Sequence, residues 1–340
     1  MSLIPFLHQV ADRQDLSSLD AQTAMEIILS GESTPAQIAA FLVALRMKGE
    51  SVSELVGFAR AMRQAAPQVH IDGSEPLVDT CGTGGDGGCT FNISTVAAFV
   101  IAGAGVRVAK HGNRSLSSKC GAADLMESLG VKISSTTDEM ARAIREVGIA
   151  FLFAPAIHTA MKHAQPVRAE LKMRTAFNLL GPLTNPAGAT AQLAGAPSAT
   201  SAELMAGALA ELGLAHGFVV HGSDGLDEIT TTGPTLAFEI IQGRIERRQL
   251  EPAMFGVSRA ASEDLAGGDV ETNRDIALRI LTGEKGPRRD IVLVNASAAL
   301  VAAGRAADFS EGMDLAADAI ESGSAKAKLD QLVRLMPKPN

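Results

Sequence analysis

Apolar residues recur at helical spacing along the first 66 residues of the chain. Ile38, Phe41, Leu42 and Leu45 follow Thr34-Pro35-Ala36-Gln37, which offers an N-cap, a proline at the first helical position and a capping-box glutamine. Ser51 and Glu54 repeat the box before Leu55, Phe58 and Met62. No strand signal precedes Leu77. Beyond it, short apolar runs alternate with helical stretches: Leu77 to Asp79, Val106 to Lys110, Ala150 to Phe153 and Gly217 to His221 predict strands. Helices are predicted near 94–104, 122–129, 138–147 and 199–213. From Asn273 onward the pattern is mostly helical, with Asp290 to Gly304 a long apolar helix suited to cover one sheet face. Such alternation implies βα units and a largely parallel sheet. The expected fold class is therefore α/β: a small all-helical N-terminal domain over 1–68, then a larger α/β domain over 69–340 with a mostly parallel central sheet flanked by helices. Pro67, Gly73 and Pro76 mark the linker. Part of 160–186, rich in charge and proline, is expected to return to the helical domain.

Composition narrows the function classes. With 340 residues, 46% of them hydrophobic, the chain can bury a large core in about two domains. It has 33 glycines, twelve phenylalanines and neither tryptophan nor tyrosine, and its net charge is -8. Few stacking aromatics on an acidic chain argue against nucleic acid as a partner. The first residues read as an amphipathic helix rather than a signal peptide, because Asp12, Arg13 and Asp15 interrupt the apolar positions. The longest apolar run, Ala97 to Val106, falls short of the ~18 residues of a membrane span. Cys81, Cys89 and Cys120 form no CxxC pair, which fits a reducing compartment, with the cytoplasm as the default location.

Three segments carry candidate chemistry. Asp79 to Gly88 is a glycine loop after a predicted strand, and Asn92-Ile93-Ser94-Thr95 opens the next helix. Glycines permit close approach of backbone to pyrophosphate, and a helix N-terminus favours anions. A turn used only for chain reversal is the plain alternative. Neither G-x-G-x-x-G nor a Walker ending is present. Lys110-His111-Gly112-Asn113-Arg114, with Ser115, Ser117 and Ser118 after it, ends the next strand and should face the same crevice as the glycine loop. Alone it would read as a solvated surface. Asp227-Glu228, past a glycine turn, suits a hard cation such as Mg2+ shared with substrate phosphates, although adjacent carboxylates usually bind nothing. Arg168 or Arg174 could hold a carboxylate-bearing acceptor or form an interdomain salt bridge. His158 divides between packing and lining the pocket, and Cys81 reads as a small packing residue.

Cys81-Gly82-Thr83-Gly84-Gly85-Asp86-Gly87, Asn92 to Thr95, Lys110 to Arg114, Arg174 to Pro186 and Asp227-Glu228 together resemble the anthranilate phosphoribosyltransferase family over nearly the whole chain. The resemblance implies the nucleoside phosphorylase/phosphoribosyltransferase type of fold, a homodimer, and the second step of tryptophan biosynthesis from chorismate. Carried onto this sequence, Gly82, Gly85, Asp86, Thr90, Asn92, Ile93, Ser94, Thr95, Lys110, His111, Gly112, Asn113, Arg114, Ser115, Leu116, Ser117, Ser118 and Ala122 would bind phosphoribosyl pyrophosphate. Asn113 and Arg168 would bind anthranilate, with Gly82, His111 and His158 close by, and Ser94, Asp227 and Glu228 would hold two Mg2+ ions. Lys172 departs from the family by standing where glycine is usual, as do Cys120 and Ala122 where small or hydroxyl residues are usual.

The implied chemistry needs no strong base, because the aromatic amine is already neutral. Departure of pyrophosphate is the hard part, so Lys110, Asp227 and Glu228 are the expected catalytic groups, acting through charge stabilisation and bound Mg2+. Two rivals make different demands. A pyrimidine nucleoside phosphorylase has no use for a pyrophosphate-binding metal pair. A catalytically silent relative that binds nucleic acid would show a basic face.

Overall fold

The computed structural model describes residues 2–84, 90–115 and 119–338. It opens with helices α1 (Ile4–Ala11), α2 (Ser18–Ser30), α3 (Pro35–Lys48) and α4 (Val52–Ala65). Both capping boxes form. Thr34 Oγ1 accepts the Gln37 N–H (3.3 Å) while Gln37 Oε1 accepts the Thr34 N–H (3.0 Å). Glu54 does more than cap. Wholly buried, it accepts the N–H groups of Ser51 (2.8 Å) and Leu16 (3.0 Å) and the Lys48 ammonium (3.0 Å), tying the approach to α2 to the start of α4.

The α/β part then runs β1 (Leu77–Gly82), α5 (Ile93–Gly103), β2 (Arg107–Gly112), α6 (Ala122–Ser128), α7 (Thr137–Glu146), β3 (Ile149–Phe153) and the short α8 (Ala154–Ile157). Helices α9 (Gln165–Leu171) and α10 (Phe177–Leu180) follow, then β4 (Ala191–Gly195), α11 (Ala199–Glu211), β5 (His216–Gly222), β6 (Thr235–Ile241) and β7 (Arg244–Leu250). The chain closes with α12 (Val270–Leu281), α13 (Pro287–Ala302), α14 (Phe309–Glu321) and α15 (Ser324–Leu335).

One seven-stranded sheet has the order β3-β2-β1-β4-β5-β6-β7, parallel from β3 through β5 and antiparallel at β6 and β7. The chain winds outward from β1 to β3 and restarts at β4 on the other side of β1. Connections therefore leave β1 and β4 in opposite directions, which opens a crevice at their carboxyl ends. Alternate residues of the strands feed two cores, as the period of two requires. Leu193, Phe218, Val220 and Ala237 pack with α5 and α13 on one face, while Ala194, Val219 and Phe238 face α11 and the N-terminal helices. Into that second core the 160–186 segment inserts Ala164, Val167, Phe177 and Leu180.

Strands β4, β6 and β7 correct the sequence reading, which placed no strand there. Ala191–Gly195 has little intrinsic strand preference, yet it is wholly buried between β1 and β5, so pairing on both sides decides its conformation. The β6–β7 hairpin turns on Gln242 (φ 48°) and Gly243 (φ 82°), the double positive φ of a tight hairpin loop. Arg244, Glu246, Arg247 and Arg248 make the exposed edge strand too polar to register as one, and those charges also guard the edge against further pairing. No described helix is long and apolar enough to cross a membrane.

Candidate functional site

The crevice is built around a pair of glycines. Gly82 and Gly195 are register partners at the carboxyl ends of β1 and β4, and Asp227 lies across both. A Cβ on Gly82 would sit 2.2 Å from Asp227 Oδ2, and one on Gly195 would sit 1.7 Å from the Asp227 carbonyl oxygen. Glycine is thus needed on both strands for the acidic turn to descend onto the sheet. Its own geometry is fixed from below and behind. Asp224 accepts the Thr230 hydroxyl (2.6 Å), and Asn295, fully buried in α13, exchanges hydrogen bonds with both the N–H and the carbonyl of Ile229 (2.9 Å each). Asn295 was missed in the sequence, where its signal was a lone amide inside an apolar helix.

The two adjacent carboxylates reach different elements. Asp227 Oδ2 accepts the Gly84 N–H at 2.9 Å, and Glu228 Oε1 accepts the Ser94 N–H at 3.2 Å in the first turn of α5. Glu228 therefore occupies the helix N-terminus with its own negative charge. The other N–H groups of that turn are also engaged: Ile93 to the Phe91 carbonyl, Thr95 and Val96 to that of Asn92. Because the Ile93 and Thr95 side chains are buried as well, Ser94 is the residue of this turn with a side chain facing the site. Its hydroxyl lies 3.1 Å from Lys110 Nζ, which also donates to the Thr80 carbonyl. Lys110 is 3% exposed, so its charge sits in the wall of the crevice. Asp79 anchors this wall, accepting the His111 N–H (3.1 Å) and the Asn185 amide (2.8 Å). Burial raises the Asp79 pKa, and the nearby Lys110 ammonium opposes the shift. Among the described residues, the carboxyl ends of β1 and β2 and the first turn of α5 thus meet at one crevice.

His111 and His158 form an edge-to-face pair with ring centroids 5.2 Å apart. Burial lowers the pKa of His111 to about 3 and that of His158 to about 4, so both are neutral at physiological pH. Nδ1 of His111 is 3.1 Å from the Gly181 carbonyl and must carry the proton to donate there. Its Nε2 then presents a lone pair, and Nε2 of His158 is likewise a buried ring nitrogen without a hydrogen-bond partner among the described residues.

The two arginines part company. Arg168 stacks over the Phe177 ring (5.1 Å) and donates to Gln165 (3.3 Å), whereas Arg174 donates to the Gly84 carbonyl (2.8 Å) beside Asp227. Arg114 does not point its guanidinium at the crevice: it pairs with Asp124 (2.5 Å) and Glu127 (2.6 Å) of α6. Asn113 is exposed, its Oδ1 accepting the Arg114 N–H (2.7 Å). Asn92 is held by Cys120 and by the Asn273 amide (3.1 Å), and Thr90 forms a bridge with Ala266. Gly112 lies against Phe151 and Ala122, without room for a side chain. Gly121 sits just as tightly on the backbone N–H of Ser115. Gly85, Asp86, Leu116, Ser117 and Ser118 lie outside the described residues. Cys81 is buried with its thiol pKa raised by burial, in keeping with a packing role.

Comparison with known proteins gives consistent matches. Residues 74–326 match the model for the a/b domain of a glycosyl transferase family, and residues 4–66 match that family's helical bundle domain. An anthranilate phosphoribosyltransferase of Solibacter usitatus is 66% identical over 334 residues, covering 98% of each chain. Among solved structures, the Thermus thermophilus anthranilate phosphoribosyltransferase superposes with a TM-score of 0.92 at 44% identity, over 97% of this chain and 98% of that one. The Saccharomyces cerevisiae enzyme in complex with PRPP and Mg superposes at 0.90 with 28% identity, over 98% and 97%.

Proposed function

This chain belongs to the anthranilate phosphoribosyltransferase family, and from that premise we propose that the crevice over β1 and β4 binds phosphoribosyl pyrophosphate beside anthranilate and joins them. The enzyme transfers the phosphoribosyl group of 5-phosphoribosyl 1-pyrophosphate to the amine of anthranilate, releasing pyrophosphate, in the second step of tryptophan biosynthesis. The observation that carries the site assignment is the seating of Asp227 on Gly82 and Gly195, with Glu228 on the α5 N-terminus and Lys110 beside Ser94.

The pyrophosphate end of the donor lies, on this reading, against Gly82, Gly84, Ser94 and Lys110. Lys110 holds a fixed positive charge where the leaving group gathers negative charge, so little reorganisation accompanies bond breaking. Asp227, Glu228 and the Ser94 hydroxyl are hard oxygen donors that fit Mg2+. Two carboxylates and a hydroxyl suit a cation that takes one or two carboxylates plus substrate phosphates. Bound there, Mg2+ would neutralise the departing pyrophosphate. Anthranilate lies toward Asn113 and Arg168, where the guanidinium meets its carboxylate and neutral His111 Nε2 accepts from its amine. Positioning and charge stabilisation suffice, without a covalent intermediate on the protein. The same reading includes two Mg2+ ions per chain and a homodimer, which rest on the family resemblance, and a cytoplasmic location, which rests on the cysteine pattern of the sequence.

The test follows anthranilate fluorescence in the purified protein. It falls when phosphoribosyl pyrophosphate and Mg2+ are added together, and an unchanged signal overturns the reading. Loss of Asp227 or Glu228 slows turnover more than loss of His158, and full activity in the Asp227→Ala, Glu228→Ala double variant removes the metal assignment.

A further inference from the structure

We infer that Arg174 is a positioning residue for the pyrophosphate side of the crevice and does not bind the carboxylate of anthranilate, an inference that rests on the transferase reading above. The Gly84 backbone is held on both sides of its Cα. Its N–H donates to Asp227 Oδ2 at 2.9 Å, and its carbonyl accepts Arg174 Nη1 at 2.8 Å. A carboxylate and a guanidinium thus grip the two successive peptide groups that flank the Gly84 Cα, one from each side, and fix the backbone of this residue between them. Burial lowers the Arg174 pKa, and the nearby Asp227 charge opposes the shift.

Arg174 is itself anchored from outside the sheet. Its backbone carbonyl accepts Arg46 Nη1 at 2.9 Å, so α3 fixes the segment that delivers the guanidinium. Downstream, Thr175 accepts no slack: its N–H is held by Asn178 Oδ1 at 2.9 Å. Arg174 Nη2 is buried and has no hydrogen-bond partner among the described residues. A buried donor left unpaired is costly, and its retention fits a group whose neighbours rearrange when the Asp227 carboxylate takes up a ligand. Arg168, by contrast, is separated from this relay by its stacking on Phe177 and its bond to Gln165. The relay connects the helical bundle, the glycine loop and the acidic turn through a single side chain. Removing its charge should loosen Gly84 and Asp227 together, and both belong to the phosphoribosyl pyrophosphate half of the site.

The experiment measures steady-state kinetics on the full chain, varying each substrate with the other saturating. Arg174→Gln raises KM for phosphoribosyl pyrophosphate about ten- to a hundred-fold, the usual worth of one charge-assisted hydrogen bond, and leaves KM for anthranilate unchanged. Arg174→Lys recovers part of the loss, and Arg168→Gln shows the opposite substrate pattern. A second readout needs no turnover: phosphoribosyl pyrophosphate with Mg2+ raises the melting temperature of the wild type and much less that of Arg174→Gln, while their unliganded melting temperatures agree. An Arg174→Gln variant that raises KM for anthranilate alone, changes neither KM, or melts early without ligand by the full extent of its defect overturns the inference. A variant that fails to fold does the same unless Arg174→Lys folds and shows the selective KM rise. If the wild type consumes no anthranilate, the transferase reading fails instead, independently of Arg174.

Discussion

Two buried imidazoles make this protein sensitive to mild acid. His111 and His158 have pKa values of about 3 and about 4 in the folded chain, against the ordinary 6.5, because burial disfavours their charged forms. Below pH 6.5 the unfolded chain binds protons at these positions that the native state refuses, so stability falls as pH drops toward 4. Above 6.5 they contribute no slope. Urea midpoints measured from pH 8 to 4.5 should therefore be flat at the upper end and decline through the lower one, less steeply in His158→Gln. An equal decline in that variant assigns the acid sensitivity to other groups. The sequence suggested both histidines as neighbours of the pocket, but the neutral form of His111 comes from burial in the tertiary structure, and its free Nε2 depends on the Gly181 carbonyl, 70 residues away in the chain.

At the scale of an element, the end of α9 shows how a lysine serves where the family resemblance leads one to expect glycine. Lys172 has φ 47° and ψ 35°, the left-handed conformation of a helix C-cap, and its N–H returns to the Arg168 carbonyl at 3.3 Å. That geometry explains why glycine would be favoured there. The loop after Arg168 keeps the turn a glycine would make, at the expense of strain in the lysine backbone. Lys172→Gly should raise stability by up to about 1 kcal/mol, the left-handed penalty less the extra freedom glycine has when unfolded. Urea denaturation checks this, and a clear loss of stability would show that the lysine side chain holds the segment. Other element ends were readable directly. The Thr34–Gln37 and Ser51–Glu54 boxes are local in sequence and form as local chemistry dictates. Strand β4 was unreadable, because its ladder partners lie far away along the chain.

Over the whole molecule, the acidic turn is positioned by the protein's own groups: Asp227 and Glu228 each accept a backbone N–H, and Asn295 bolts their turn to α13. Chelation should therefore abolish turnover while leaving the unliganded melting temperature unchanged. Mg2+ with phosphoribosyl pyrophosphate at a hundred times its Kd should then add about 2.7 kcal/mol of stability by mass action. A melting temperature that falls on chelation alone would make the metal structural. The sequence by itself determined the helical start, the βα alternation, the glycine loop, the Lys110 loop and the acidic pair, since each rests on residues within a turn or two of one another. Only the tertiary structure decided the return of β4 beside β1, the descent of Asp227 onto Gly82 and Gly195, and the separation of Arg174 on the Gly84 carbonyl from Arg168 on the Phe177 ring. The first two follow from sheet order and close packing between segments a hundred or more residues apart, and Arg174 reaches the Gly84 carbonyl across 90 residues, so no local pattern encodes them.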